Sequence, residues 1–167
     1  MTFDEFWSIL EKVHRKSGAD VEKKFGLLEE ELAKLSLAEV QSFDALFTDC
    51  LDRAYTWELW GAAYVIGGGC SDDGFWDFRS TLISCGRGIF ERALEDPESL
   101  AELDSEVGEA LQVEGLQYIA GKVARSLGGD VLDRSRPHPS QPSGQKWDEE
   151  AVAELYPKLA RKYGEIY

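Results

Sequence analysis

Asp72, Trp76, Arg79, Ile83 and Arg87 follow one another at steps of four, three, four and four, so on a helix they share one face. An acid, an indole and two guanidiniums side by side can hold an anion or a small polar molecule. They follow directly on Gly67-Gly68-Gly69-Cys70-Ser71. A helix beginning at Ser71 or Asp72 turns its positive end toward that glycine corner. Asp72 and Asp73 already occupy this potential with two carboxylates. The same residues also have a purely structural reading. Arg79 lies beside the core stripe, and a buried guanidinium demands a partner, for which Asp72, Asp44, Asp49 and Asp52 are the candidates. An internal salt bridge tying the corner to the bundle is therefore the first expectation, and a binding corner is the alternative.

Other chemistries find less support. Cys70 stands near a helix start, where a thiolate is favoured. Against it stand Asp72 and Asp73, which raise a thiol's pKa, and the lack of a neighbouring histidine. His14 is remote in the chain, and His138 lies in a proline-rich stretch. Asp72, Asp73 and Asp77 lack the spacing of a calcium loop. The three glycines are followed by no GK[ST], so they are not a phosphate loop. Acids are too frequent in this chain to single out a hydrolytic pair. No catalytic residue, metal or cofactor is assigned. The candidate polar corner is Cys70, Ser71, Asp72, Asp73, Trp76, Arg79 and Arg87.

The elements that must position this corner are all helical. Phe3, Phe6, Trp7, Leu10 and Val13 make one apolar stripe, and Ser17-Gly18 ends that helix. A second helix spans about Asp20 to Leu35. Ser36-Leu37-Ala38-Glu39 is a capping box opening a third, and Thr56 caps a fourth. The stretch from Trp57 to Ile66 is apolar almost all round, which places it at the centre of a bundle. The glycines end it. The fifth helix carries Phe75, Phe78, Leu82 and Cys85 inward and is expected to kink at Gly86 and Gly88. Its neighbouring face, with Asp73, Asp77, Ser80 and Ser84, reads as solvated. Asp96-Pro97 starts a short helix, and Leu116 to Leu127 form another, closed by Gly128-Gly129. Asp130 to Lys146 carries Pro137, Pro139 and Pro142 among small polar residues and reads as an extended strap. A last helix bears Val152, Leu155, Leu159 and Tyr163, with Pro157 kinking or splitting it. Of the five tryptophans, Trp147 is singled out as an anchor between strap and last helix. The other four read as core or junction packing.

Composition narrows the setting. The 167 residues carry 18 basic and 32 acidic side chains, a formal charge of −14. Such a field repels nucleic-acid phosphates and anionic membranes, and it attracts basic proteins. From Glu95 through Gly121 every charge is negative. The three cysteines are odd in number and lack CxxC spacing, and the N-terminus has no basic or apolar leader pattern. A reduced, cytoplasmic protein is expected.

Phe6-Trp7, Leu59-Trp60, Ala62-Ala63-Tyr64-Val65-Ile66, Gly68-Gly69-Cys70-Ser71-Asp72-Asp73-Gly74-Phe75 and Phe78-Arg79 together resemble a bacterial uncharacterised family, the domain of unknown function 4240. Leu82-Ile83-Ser84, Gly86-Arg87 and Asp96-Pro97-Glu98-Ser99-Leu100-Ala101 continue the likeness, which covers roughly Met1 to Leu127. The resemblance implies a helical bacterial domain and transfers no reaction, cofactor or catalytic residue. Some relatives are joined to domains of regulatory type, which favours an interaction role.

The expected architecture is a single all-α bundle of about seven or eight helices over residues 1–129. A proline- and serine-rich strap follows over 130–147, and a C-terminal helix over 148–167 docks back on the same domain. The leading functional expectation is a non-catalytic interaction or regulatory module that binds a basic partner protein through its acidic surface. A small-ligand binder or enzyme centred on Cys70 to Arg79 is the alternative. An acidic inhibitor imitating nucleic acid is the second.

Overall fold

A computed structural model describes residues 1–131 and 137–164 of the chain. The fold is all-α. In chain order the helices are α1 (Phe3–Ser17), α2 (Val21–Leu32), α3 (Leu37–Arg53), α4 (Trp57–Gly67), α5 (Asp72–Ser84), α6 (Arg87–Glu95), α7 (Ser105–Glu109), α8 (Ile119–Ser126), α9 (Val152–Leu155) and α10 (Pro157–Tyr163). Tighter 3-10 turns occupy Pro97–Glu102, Ala110–Gln112 and Leu116–Tyr118. The pieces beyond the expected set are α7, of five residues, and α6, expected as a kinked continuation of α5.

Local chemistry explains most boundaries. Ser36 accepts the Glu39 amide while Glu39 reaches back to the Ser36 amide, so the capping box forms as read. Thr2 and Glu5 make a second box at the start of α1. Thr56 caps α4, and Asp96 caps the 3-10 turn that begins at Pro97. Gly86 does more than kink a helix. It takes φ +99, α5 stops at Ser84, and α6 begins afresh at Arg87. Pro157 divides the last helix into α9 and α10.

The core runs through Phe6, Trp7 and Leu10 of α1, Phe43 of α3, Leu59, Ala62 and Ala63 of α4, Phe75, Phe78 and Leu82 of α5 and Phe90 of α6, all buried. Each large side chain so removed from water contributes about 1.5–3 kcal/mol. Helix α4 packs against α5 and α7 and also against α9 and α10, which accounts for its lack of a polar face. No described helix is long and apolar enough to cross a membrane.

Three expectations about burial need correction. Ser80 and Ser84 are buried, not solvated. Their hydroxyls donate to the Trp76 and Thr81 carbonyls within α5, which lets them sit in the core. Asp77, on the same face, accepts a 2.7 Å bond from Gln117. Leu155 is exposed, because the break at Pro157 turns α9 so that only Val152 faces inward.

Part of the strap, 132–136, lies outside the described residues. The remainder is tied down at several points. Ser143 pairs with the backbone of Tyr55 and Trp57 in an isolated parallel bridge beside Thr56. The Gln145 amide donates to Glu58, and His138 Nδ1 lies 3.0 Å from Asp52 Oδ2. The Trp147 indole then donates to the Trp57 carbonyl at 2.7 Å, and α10 buries Leu159 and Tyr163.

Candidate functional site

The glycine corner is built by two separate demands. Gly68 ends α4 in the left-handed conformation, φ 63, a cap that costs glycine no steric strain. Gly67 remains helical, and its bare Cα admits Gln112, whose Nε2 donates to the Ala63 carbonyl at 2.9 Å. A Cβ at Gly67 would overlap the Gln112 amide. Gly67→Ala is therefore expected to destabilise by about 1–3 kcal/mol through overpacking and a lost hydrogen bond, read by urea unfolding. An unchanged midpoint would show that Gln112 is not held there.

Ser71, not Asp72, caps α5, accepting from the Gly74 amide at 3.2 Å. Ser71, Asp72 and Asp73 are exposed at the start of α5. Arg87 is not on this face at all. The break at Gly86 carries it onto α6, where it pairs with Asp4 at 3.2 Å and lies over the Phe3 ring. The seven corner residues are thus divided among several places.

The expected salt bridge between Asp72 and Arg79 does not form. Arg79 is partly buried and uses backbone carbonyls in its stead. Nη1 donates to Leu51 at 2.8 Å and Nε to Phe75 at 3.3 Å. Its guanidinium lies 4.5 Å from the Tyr55 ring centre and 4.9 Å from that of Phe75. No carboxylate among the described residues forms an ion pair with it. Burial lowers its pKa to about 10, so it stays cationic at neutral pH. Removing Arg79 would accordingly leave no buried, unpaired carboxylate behind.

From Arg79 a ladder of three aromatic rings leads to Lys146. Phe75 stacks on Trp60 at 5.0 Å and 8°, and Trp60 stacks on Trp57 at 5.1 Å and 6°. Lys146 Nζ covers the far end, 5.3 Å from the Trp57 ring centre. A cation stands at each end, where the negative faces of the rings attract it.

Each end opens on a cleft. Around Arg79, a cleft of about 350 Å³ is lined by Leu51, Asp52, Tyr55, Trp76 and His138, among others. Around Lys146, one of about 630 Å³ is lined by Trp57, Trp60, Tyr64 and Trp147 with Asp148, Glu149 and Glu150. Trp147 stands nearly perpendicular to both stacked indoles, and Tyr64 lies 5.1 Å from it, its hydroxyl donating to Glu149. Trp57, Trp60 and Trp147 form a partly open wall where α4 meets the strap. Sequence reasoning had marked Trp147 as an anchor and missed that it completes an aromatic pocket with an acidic rim.

Cys70 lies on this second cleft. The Trp60 indole donates to its carbonyl at 2.9 Å, and burial pushes its thiol up to about 12. It is no thiolate at neutral pH. Cys50 is likewise pushed up to about 12 and Cys85 upward, both by burial, and all three cysteines are free. Among the described residues no group of three or more His, Cys, Asp or Glu side chains is arranged to hold a metal ion.

The family model described as "Protein of unknown function (DUF4240)" matches residues 1–125. The chain belongs to the DUF4240 family. No curated protein and no solved structure matches it. In this DUF4240 protein the glycine corner, Arg79 and the stacked indoles lie inside the family match. Trp147 and the acidic rim of the second cleft lie beyond it.

Proposed function

We propose that this domain is a non-catalytic interaction module that recognises a basic partner protein, drawing a lysine or arginine side chain into the pocket of Trp57, Trp60, Tyr64 and Trp147. One observation carries the reading. The pocket's own Lys146 already sets its ammonium over the Trp57 face, with Asp148, Glu149 and Glu150 alongside. A cation over an indole gains about 0.5–2 kcal/mol, more as water is excluded. Carboxylates around it add charge complementarity, and a field of −14 steers a basic partner inward. Lys146 is exposed and can yield its place.

The test uses a fluorescent peptide of alternating lysine and glycine, with a glutamate peptide as control. The lysine peptide binds, and its affinity falls steeply between about 50 and 500 mM salt. Glu149→Lys with Glu150→Lys weakens it by about tenfold or more, whereas Lys146→Ser strengthens it by vacating the Trp57 face. Charge reversal at Glu102 and Glu109 reports whether the acidic face on the Glu95–Glu114 side takes part. An affinity indifferent to both salt and the Glu149/Glu150 reversal would remove the pocket from the reading.

A further inference from the structure

We infer that the cleft at the other end of the ladder, around Arg79, is a separate binding site for a small organic carboxylate with a flat apolar body. The reasoning begins with the fixed posture of Arg79. Two carbonyls, those of Leu51 and Phe75, and two aromatic rings, Tyr55 and Phe75, hold the guanidinium in one plane. Of its five N–H groups, the two carbonyls engage only Nε–H and one on Nη1. Arg79 itself lines an open cleft, and three of its N–H groups are left over from these two bonds. A guanidinium fork matches a planar carboxylate in geometry, and a charge-assisted pair of this kind is roughly twice as strong as a neutral one.

The remaining lining defines the body of the ligand. Tyr55, Trp76 and Leu51 offer aromatic and aliphatic surface, and the cleft of about 350 Å³ is of small-molecule size. Asp52 also lines it, paired with His138 at 3.0 Å. That carboxylate, together with the net charge of −14, disfavours a polyanion. A monoanion needs only the one guanidinium. Asp52 and His138 supply polar contacts for a substituent away from the carboxylate. The ligand so described differs in charge from the cation drawn to the Trp57 pocket, and the two sites stand or fall independently.

Phenylacetate, phenylacetamide and phenethylamine share one body and carry a negative, a neutral and a positive head. Each is titrated into the ¹⁵N-labelled protein, and the signals of Arg79 Nε–H and the Trp76 indole N–H are followed. Phenylacetate shifts both signals and saturates in the millimolar range or below, near −4 kcal/mol or stronger. The amide and the amine bind at least about tenfold more weakly. Arg79→Lys, which keeps the charge and loses the fork, weakens phenylacetate by about tenfold or more. Because the wild-type series alone discriminates the charge of the head group, the inference remains testable if that variant does not fold. No shift at either signal, equal binding of the three compounds, or tighter binding of the amine would overturn the assignment.

Discussion

Tyr163→Ala is expected to lower stability by about 3–5 kcal/mol, the cost of emptying a large aromatic site in a packed core. Tyr163 is 1 % exposed although it lies near the end of the chain. It fills the space over Gly108, where even a Cβ would overlap its hydroxyl. Around it α10 is fastened by backbone groups. The Lys158 amide donates to Glu98 at 2.6 Å, and Lys162 Nζ donates to the Ala101 and Leu103 carbonyls. The hydroxyl of Tyr163 itself finds no partner among the described residues. Tyr163→Phe should therefore be neutral or stabilising by about 1 kcal/mol, since it deletes a buried, unsatisfied polar group. Chemical denaturation of both variants checks the pair of values. Limited proteolysis adds a second reading. A nick near Pro137 to Lys146 should leave the C-terminal fragment associated in the wild type and release it in Tyr163→Ala. An alanine variant as stable as the wild type would mean that α10 is not part of the core in solution.

Acid should destabilise the fold through His14 before most carboxylates titrate. His14 Nδ1 lies 3.2 Å from Nζ of Lys24, and Lys24 is 2 % exposed. An ammonium has only protons to offer, so Nδ1 must accept and the imidazole must stay neutral, with its proton on Nε2. Burial first, and the Lys24 charge second, bring His14 down from 6.5 to about 4. Burial likewise lowers the pKa of Lys24, offset in part by neighbouring Cys85. The sign follows from proton uptake. Above pH 6.5 His14 is neutral in both folded and unfolded chains, and the folded state has its full stability. As pH falls from 6.5 to 4 the unfolded chain takes up a proton that the folded one refuses, and stability drains away. Below pH 4 both forms are protonated and this contribution levels off. At 1.36 kcal/mol per unit, and allowing for the partial solvent contact of the imidazole, the loss by pH 4.5 is about 1–2 kcal/mol. Urea unfolding at pH 7.5 and 4.5, wild type against His14→Gln, isolates it from the carboxylates. The wild type should lose more than the variant by that amount. Equal losses would show that His14 is not held neutral by Lys24.

Whatever is decided within a turn or two of the chain can be read from residue types and their spacing. Apolar spacing set the helices, Ser36, Thr56 and Asp96 set their starts, and Gly68 and Pro157 set breaks. The Thr2–Glu5 box carried the same signal as Ser36–Glu39 and was legible in principle. These choices depend on backbone groups three to five residues apart, and the residues that satisfy them stand in plain view. Long-range packing settled the rest. Nothing local distinguishes Lys24, which is buried, from Lys23, which is exposed. Neither does anything local tell Arg79 to choose the Leu51 carbonyl, 28 residues away, over the four carboxylates that charge alone would nominate. Both clefts join segments that meet only after folding: His138 and Asp52 are separated by 86 residues, and the Trp147 indole and the Trp57 carbonyl by 90. The physical reason is the weak dependence of closure entropy on loop length. Bringing such segments together costs only about 3 kcal/mol more than closing a short turn, so contact is settled by which apolar surfaces fit and which polar groups are thereby satisfied, and neither is written in spacing.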